Sequence, residues 1–108
     1  MSQFWPPVAS DTGWITPTLN TGWTALVGET PQYRLIGDDI KFRGRGNSTG
    51  ATADAFTLPF TMLVQVVGQT DANGTPARCI VRTTGAVGQV TAAAVTAFSF
   101  GGFPPITR

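Results

Sequence analysis

Histidine is missing from this chain of 108 residues. Without an imidazole there is no Ser-His or Cys-His nucleophilic pair, and the commonest metal ligand is gone. Charge is also scarce, at 12% of residues against a usual value of about 25%. With 7 basic and 6 acidic side chains the net charge is +1. That provides no overall field to attract nucleic acid or an anionic membrane. Cys79 is the only cysteine, so an intrachain disulfide is excluded. It sits in the run Arg78-Cys79-Ile80-Val81-Arg82 and reads as a small buried hydrophobe rather than a reactive thiol. No apolar run approaches the ~20 residues needed to span a bilayer, so no membrane insertion is expected. The first cation is Arg34, so no basic stretch precedes an apolar one as in a signal peptide.

Motifs for bound groups are equally thin. Gly44-x-Gly46 lacks the third glycine and the helix of a dinucleotide loop. Asp71-x-Asn73-Gly74 contains part of a calcium loop but not its closing glutamate, and fits a hairpin turn better. Asp38 and Asp39 are neighbours in a turn rather than a catalytic carboxylate pair. No catalytic residue, metal ligand or cofactor is therefore expected, and the chain does not read as an enzyme.

What is present is β-structure. Tyr33 and Leu35 alternate with Arg34, Gly37-Asp38-Asp39 reverses the chain, and Ile40 and Phe42 alternate with Lys41, Arg43 and Arg45. Period-two patterning on both sides of a Gly-Asp turn predicts a hairpin with one packed and one wet face. Further strands are expected at 23–27, 55–58, 62–67, 77–83, 88–92 and 94–100. Residues 44–50 read as a loop, and Asn73-Gly74 as a tight reversal. The dense apolar run 62–67 suits a strand buried on both faces. About eight short strands separated by Gly and Pro turns predict an all-β fold, an antiparallel β-sandwich of jelly-roll type.

Residues 1–13 stand apart. Phe4 and Trp5 precede Pro6 and Pro7, and a double proline favours an extended arm. The division expected is an N-terminal docking arm at 1–13, with Phe4, Trp5, Pro6 and Pro7 as its partner contacts, and a β-sandwich at 14–108. Arg34, Lys41, Arg43 and Arg45 form a basic stripe across two strands. No stacking aromatic interleaves with them in sequence, so no nucleic-acid site is expected. Trp23 reads as core, whereas Trp14 suits core or the apolar face of a sugar ring equally.

The order Thr16-Pro17-Thr18-Leu19-Asn20-x-Gly22-Trp23, then Tyr33-Arg34-x-x-Gly37-Asp38-x-Ile40-x-Phe42-Arg43-Gly44, resembles the β-domains that end many tail-fibre and minor tail proteins of siphophages. Phe56-Thr57-Leu58-Pro59 and the closing Phe98-Ser99-Phe100 and Phe103-Pro104-Pro105 extend the resemblance over residues 14–105. It implies a homotrimeric β-sandwich carried on a virion, made without a signal peptide in the bacterial cytoplasm. It also implies a tail-tip, receptor-binding role toward host-surface saccharide. Trp14, Asp71 and Asn73 are the candidate saccharide contacts. The small residues Ala92, Ala93 and Ala94 are the candidate trimer interface. Members of the family usually close long chains, and a short arm before a single domain also suits a small capsid or tail decoration protein that binds other virion proteins.

Overall fold

The computed structural model describes residues 11–107. Phe4, Trp5, Pro6 and Pro7 lie outside that range. The fold is all-β, with every strand pair antiparallel. Ten strands follow in order among the described residues: β1 Trp23–Ala25, β2 Gln32–Ile36, β3 Asp39–Arg43, β4 Arg45–Thr49 and β5 Asp54–Thr57, then β6 Val66–Ala72, β7 Thr75–Val81, β8 Ala86–Gln89, β9 Ala94–Ser99 and β10 Ile106–Thr107. Seven of them form one sheet, ordered β1-β4-β9-β6-β7-β8-β5, and β10-β3-β2 form the other.

The larger sheet nearly closes on itself. Asn20, just before β1, donates its backbone N–H to Ala55 O of β5 at 2.7 Å and its side-chain amide to Asp54 O at 3.0 Å. Trp23 adds an indole N–H bond to Thr52 O at 3.0 Å. These bonds occupy polar groups that two open sheet edges would otherwise expose. The smaller sheet is extended by the chain ahead of β1, where Asp11 bridges Ile36 and Ile15 bridges Tyr33. Asp11, assigned from sequence to the arm, is thus paired with the smaller sheet.

Both expected hairpins are present, each with the turn its residues demand. Gly37 takes the first loop position of the β2–β3 hairpin at φ 60°, and Ile36 pairs with Asp39 around it. Asn73 and Gly74 close β6–β7 at φ 50° and 83°, the left-handed pair that a two-residue turn of mirror type requires. In β2 and β3, Tyr33 faces Phe42 and Leu35 faces Ile40 across the pair, all turned to the core. Arg34 faces Lys41 and Gln32 faces Arg43 on the other side.

The core is a continuous aromatic stack between the sheets. Trp23 meets Phe98 edge-on at 5.6 Å, Phe98 meets Phe100 at 5.3 Å and Phe100 meets Phe56 at 5.5 Å. Phe56 stacks on Tyr33 at 6.2 Å, which joins the larger sheet to the smaller. Phe56, Phe98 and Phe100 are fully shielded from solvent. Each such ring withdraws roughly 150–250 Å² from water, which makes the cluster the main source of stability. Cys79 is buried with it, and burial pushes its thiol pKa up, as expected for an inert packing residue.

Four strand assignments differ from expectation. Residues 45–49, read as a loop, form β4 between β1 and β9. Polar side chains serve there because they tie a bulge. Asn47 Oδ1 accepts the Ala97 N–H at 2.8 Å, and Arg45 donates to Ala97 O at 2.9 Å. Ala97 itself takes φ 52°, and the pairing shifts register beside it. The run 62–67 is not a strand buried on both faces. β6 begins only at Val66, while Leu63 is 91% and Val64 68% exposed. Met62 is buried in the core, its N–H bonded to Thr83 O, and Val66 packs partly against it. The expected 88–92 strand lies earlier, at Ala86–Gln89, and β10 pairs with β3 where no strand was expected.

Candidate functional site

The wet face of the smaller sheet gathers the side chains that the sequence scattered. β2 and β3 set Gln32, Arg34, Lys41 and Arg43 on that face by simple alternation. The segment Asp11–Thr16, running along β2, contributes three more groups to it. Asp11 receives both ends of a guanidinium fork from Arg34, with the Nε bond at 2.8 Å. Trp14 lies under the Arg43 guanidinium, 4.1 Å from the ring centroid, with Arg34 at 5.8 Å. Thr16 accepts from the Gln32 amide at 2.9 Å, and Gln32 Oε1 accepts from Arg43 Nε at 2.7 Å. The result is a hydrogen-bonded, stacked array of flat polar groups on a sheet.

Asp11 is the most perturbed carboxylate of this face. Its bonds from Arg34, and next from the Gly13 N–H, hold its pKa down to about 2 from 3.8. The same bond raises Arg34 further. An open cleft of about 470 Å³ adjoins Arg43, lined by Gly28, Glu29, Thr30, Gln32, Arg43 and Gly44. Gly44 is required there. Its φ is 97°, and a Cβ would stand 2.3 Å from Thr30 O, so only glycine lets β3 turn into β4 against the 28–31 loop. Glu29, on the cleft wall, lies 3.8 Å from Arg45, and Arg45 is bonded to Asp71 at 3.1 Å.

The three sequence-chosen saccharide contacts separate. Trp14 borders the cleft through Arg43. Asp71 and Asn73 belong to the β6–β7 hairpin of the other sheet, where Asp71 is held by Arg45 and by the Gly74 N–H at 3.3 Å. Those bonds lower its pKa, the one from Arg45 contributing most. Asp71 thus fastens a turn and a strand, and Asn73 supplies the turn's positive φ. Arg45 likewise leaves the expected basic stripe and pairs with carboxylates. No aromatic interleaves with the cations along the strands, but Trp14 stands among them in space. It comes from a separate segment, so spacing along β2 and β3 carried no sign of it.

Sequence reading also missed Gln32, Glu29 and Thr30. Their signal was available only as polar residues on both sides of Pro31, at the foot of a strand. Ala92, Ala93 and Ala94 are exposed, with Ala94 opening β9 opposite Thr49. Among the described residues no cluster of three potential metal ligands occurs. Comparison with protein-family models, with curated proteins and with solved structures finds no match to this chain.

Proposed function

We propose that this chain is a phage-type virion module, a non-catalytic tail-tip head that recognises host-surface saccharide through the Arg43 cleft and acts as a homotrimer. The observation carrying this reading is the cleft's lining, in which flat polar side chains (Gln32, Arg43, Glu29) are set over a glycine floor. Planar amide, guanidinium and carboxylate groups suit the paired hydroxyls of a sugar, while an apolar ligand would find little to contact. Four carboxylates, Asp11, Glu29, Asp54 and Asp71, are engaged with arginines. Such engaged groups suit recognition better than acid–base chemistry. Exposed Ala92, Ala93 and Ala94 would let three chains approach closely about an axis.

The test is retention of a glycan panel by the immobilised protein, with light scattering for assembly. Wild type should hold at least one glycan class and scatter as about three chains. Gln32→Ala should lose the glycan without losing the fold. Retention of no glycan would move the assignment to the second reading, a capsid or tail decoration protein binding other virion proteins. One observation favours that alternative, the loop that leaves Leu63 and Val64 in solvent. Leu63→Ser would then abolish incorporation into particles.

A further inference from the structure

We propose that the saccharide held in the Arg43 cleft is anionic, and that Arg43 reads its carboxylate or phosphate; this rests on the saccharide reading above. The cations of the described residues divide into two sets. Arg34, Arg45 and Arg82 each have a carboxylate partner. Arg43, Lys41 and Arg78 have none within ion-pair distance among the described residues. Arg78 belongs to β7 of the other sheet. Arg43 and Lys41 are alternate residues on the wet face of β3, and of the two Arg43 lines the cleft.

Arg43 is also the better prepared of the two. Its Nε bonds Gln32 and its plane rests on Trp14, so the guanidinium is fixed while its two terminal nitrogens remain without a partner among the described residues. A guanidinium so fixed presents a two-pronged donor whose ordering cost is largely met before binding. A neutral sugar leaves that charge uncompensated, whereas a carboxylate or phosphate oxygen pair matches the fork. Two acids stand near. Glu29 faces the cleft, but its charge is shared with Arg45 at 3.8 Å. Asp39 lies farther along β3 and accepts from Thr107. Of the two charged residues that line the cleft, Glu29 is therefore partly offset by Arg45, whereas Arg43 has no carboxylate partner among the described residues.

The experiment is a nuclear magnetic resonance titration of the ¹⁵N-labelled full chain at low salt with sodium glucuronate, glucose 1-phosphate and glucose. The Arg43 Nε–H and the Trp14 indole N–H are the reporters. At least one acid should shift both reporters saturably, about tenfold more tightly than glucose, the difference expected for hydrogen bonds to a charged group. A response to glucuronate alone identifies a carboxylated saccharide, and one to glucose 1-phosphate alone a phosphorylated one. Arg43→Lys, which keeps the charge but loses the fork, should weaken the acid about tenfold, and added salt should weaken it further. Equal binding of glucose would overturn the inference while leaving the saccharide reading in place. No saturable shift with either acid would also overturn it, as would a response at the Arg78 side chain equal to that at Arg43. The glycan panel then judges the saccharide reading separately.

Discussion

Trp14 and Trp23 are the same residue put to opposite uses. Trp23 is 4% exposed, gives its indole N–H to Thr52, and turns its ring edge-on to Phe98. Trp14 is half-buried on the far side of the smaller sheet, where its π face carries the Arg43 guanidinium. One ring fills volume in a packed interior. The other is a platform that holds a cation in place. The interior tolerates almost no change, because its neighbours are fixed on every side. The platform tolerates change in stability but not in geometry. The contrast separates what makes the domain fold from what the domain displays.

The contrast is tested most severely at Trp23. Trp23→Ala removes a buried ring, breaks the Thr52 bond that helps close the larger sheet, and strips one wall from Phe98 and Phe100. The expected loss is about 3–5 kcal/mol in urea unfolding. A loss below about 1 kcal/mol would show that the aromatic stack relaxes around the gap and is not the centre of stability.

Gly44 lies where the two regions meet, so its substitution should disturb both. Gly44→Ala places a Cβ against Thr30 O and Pro31 in a backbone that L-residues avoid. Left-handed strain and forced repacking together should cost about 2–4 kcal/mol. Because Thr30 and Gly44 line the cleft, the same variant should also reshape it, and glycan retention should fall in parallel with melting temperature. Lost stability with unchanged retention would mean that the cleft is not coupled to this crossing.

How much of this was legible in the sequence follows from what each feature depends on. The hairpins were readable because Gly37 and Asn73-Gly74 specify their turns locally, and the flanking alternation specifies the faces. β4 was not, since Arg-Gly-Asn-Ser-Thr has no apolar alternation. Its strand exists because Asn47 and Arg45 bind the Ala97 bulge on a neighbour more than forty positions away. The 62–67 run misled because apolar density was read as burial. A chain that must turn after Pro59 and pin Met62 beneath Thr83 leaves Leu63 and Val64 outside. The wet face of the smaller sheet was half legible. Its cations alternate visibly along β2 and β3, but Trp14 reaches them only through tertiary pairing of Ile15 with Tyr33.

At the platform, Trp14→Ala should lower stability by about 1 kcal/mol or less, the usual range for a cation–π contact at an exposed site. Its larger effect should be on order. With its support gone, the Arg43 Nε–H should exchange faster with solvent and lose its distinct chemical shift. A loss as large as that at Trp23 would make the two tryptophans equivalent and erase the division between core and face.

The smallest expected effect concerns Asp11, which fastens the segment 11–16 to the wet face of the smaller sheet. Its pKa is depressed from 3.8 to about 2, chiefly by the Arg34 fork and then by the Gly13 N–H. A carboxylate whose folded pKa lies below its unfolded value stabilises the fold fully above the unfolded value. That contribution declines as pH falls through 3.8 toward 2. Carbon-detected titration of the Asp11 carboxyl should therefore give a midpoint near 2 in the wild type. In Arg34→Gln the midpoint should move back toward 3.8 but stop short of it, because Gly13 still donates. Salt should raise the wild-type midpoint as well, since the pair is open to solvent. The variant should leave urea unfolding at neutral pH almost unchanged, as substitutions at an exposed ion pair generally do. A wild-type midpoint near 3.8 would mean that Arg34 is not held by Asp11. Arg34 would then join Lys41 and Arg43 as a third unpaired cation on the face, which would strengthen the proposal of an acidic ligand.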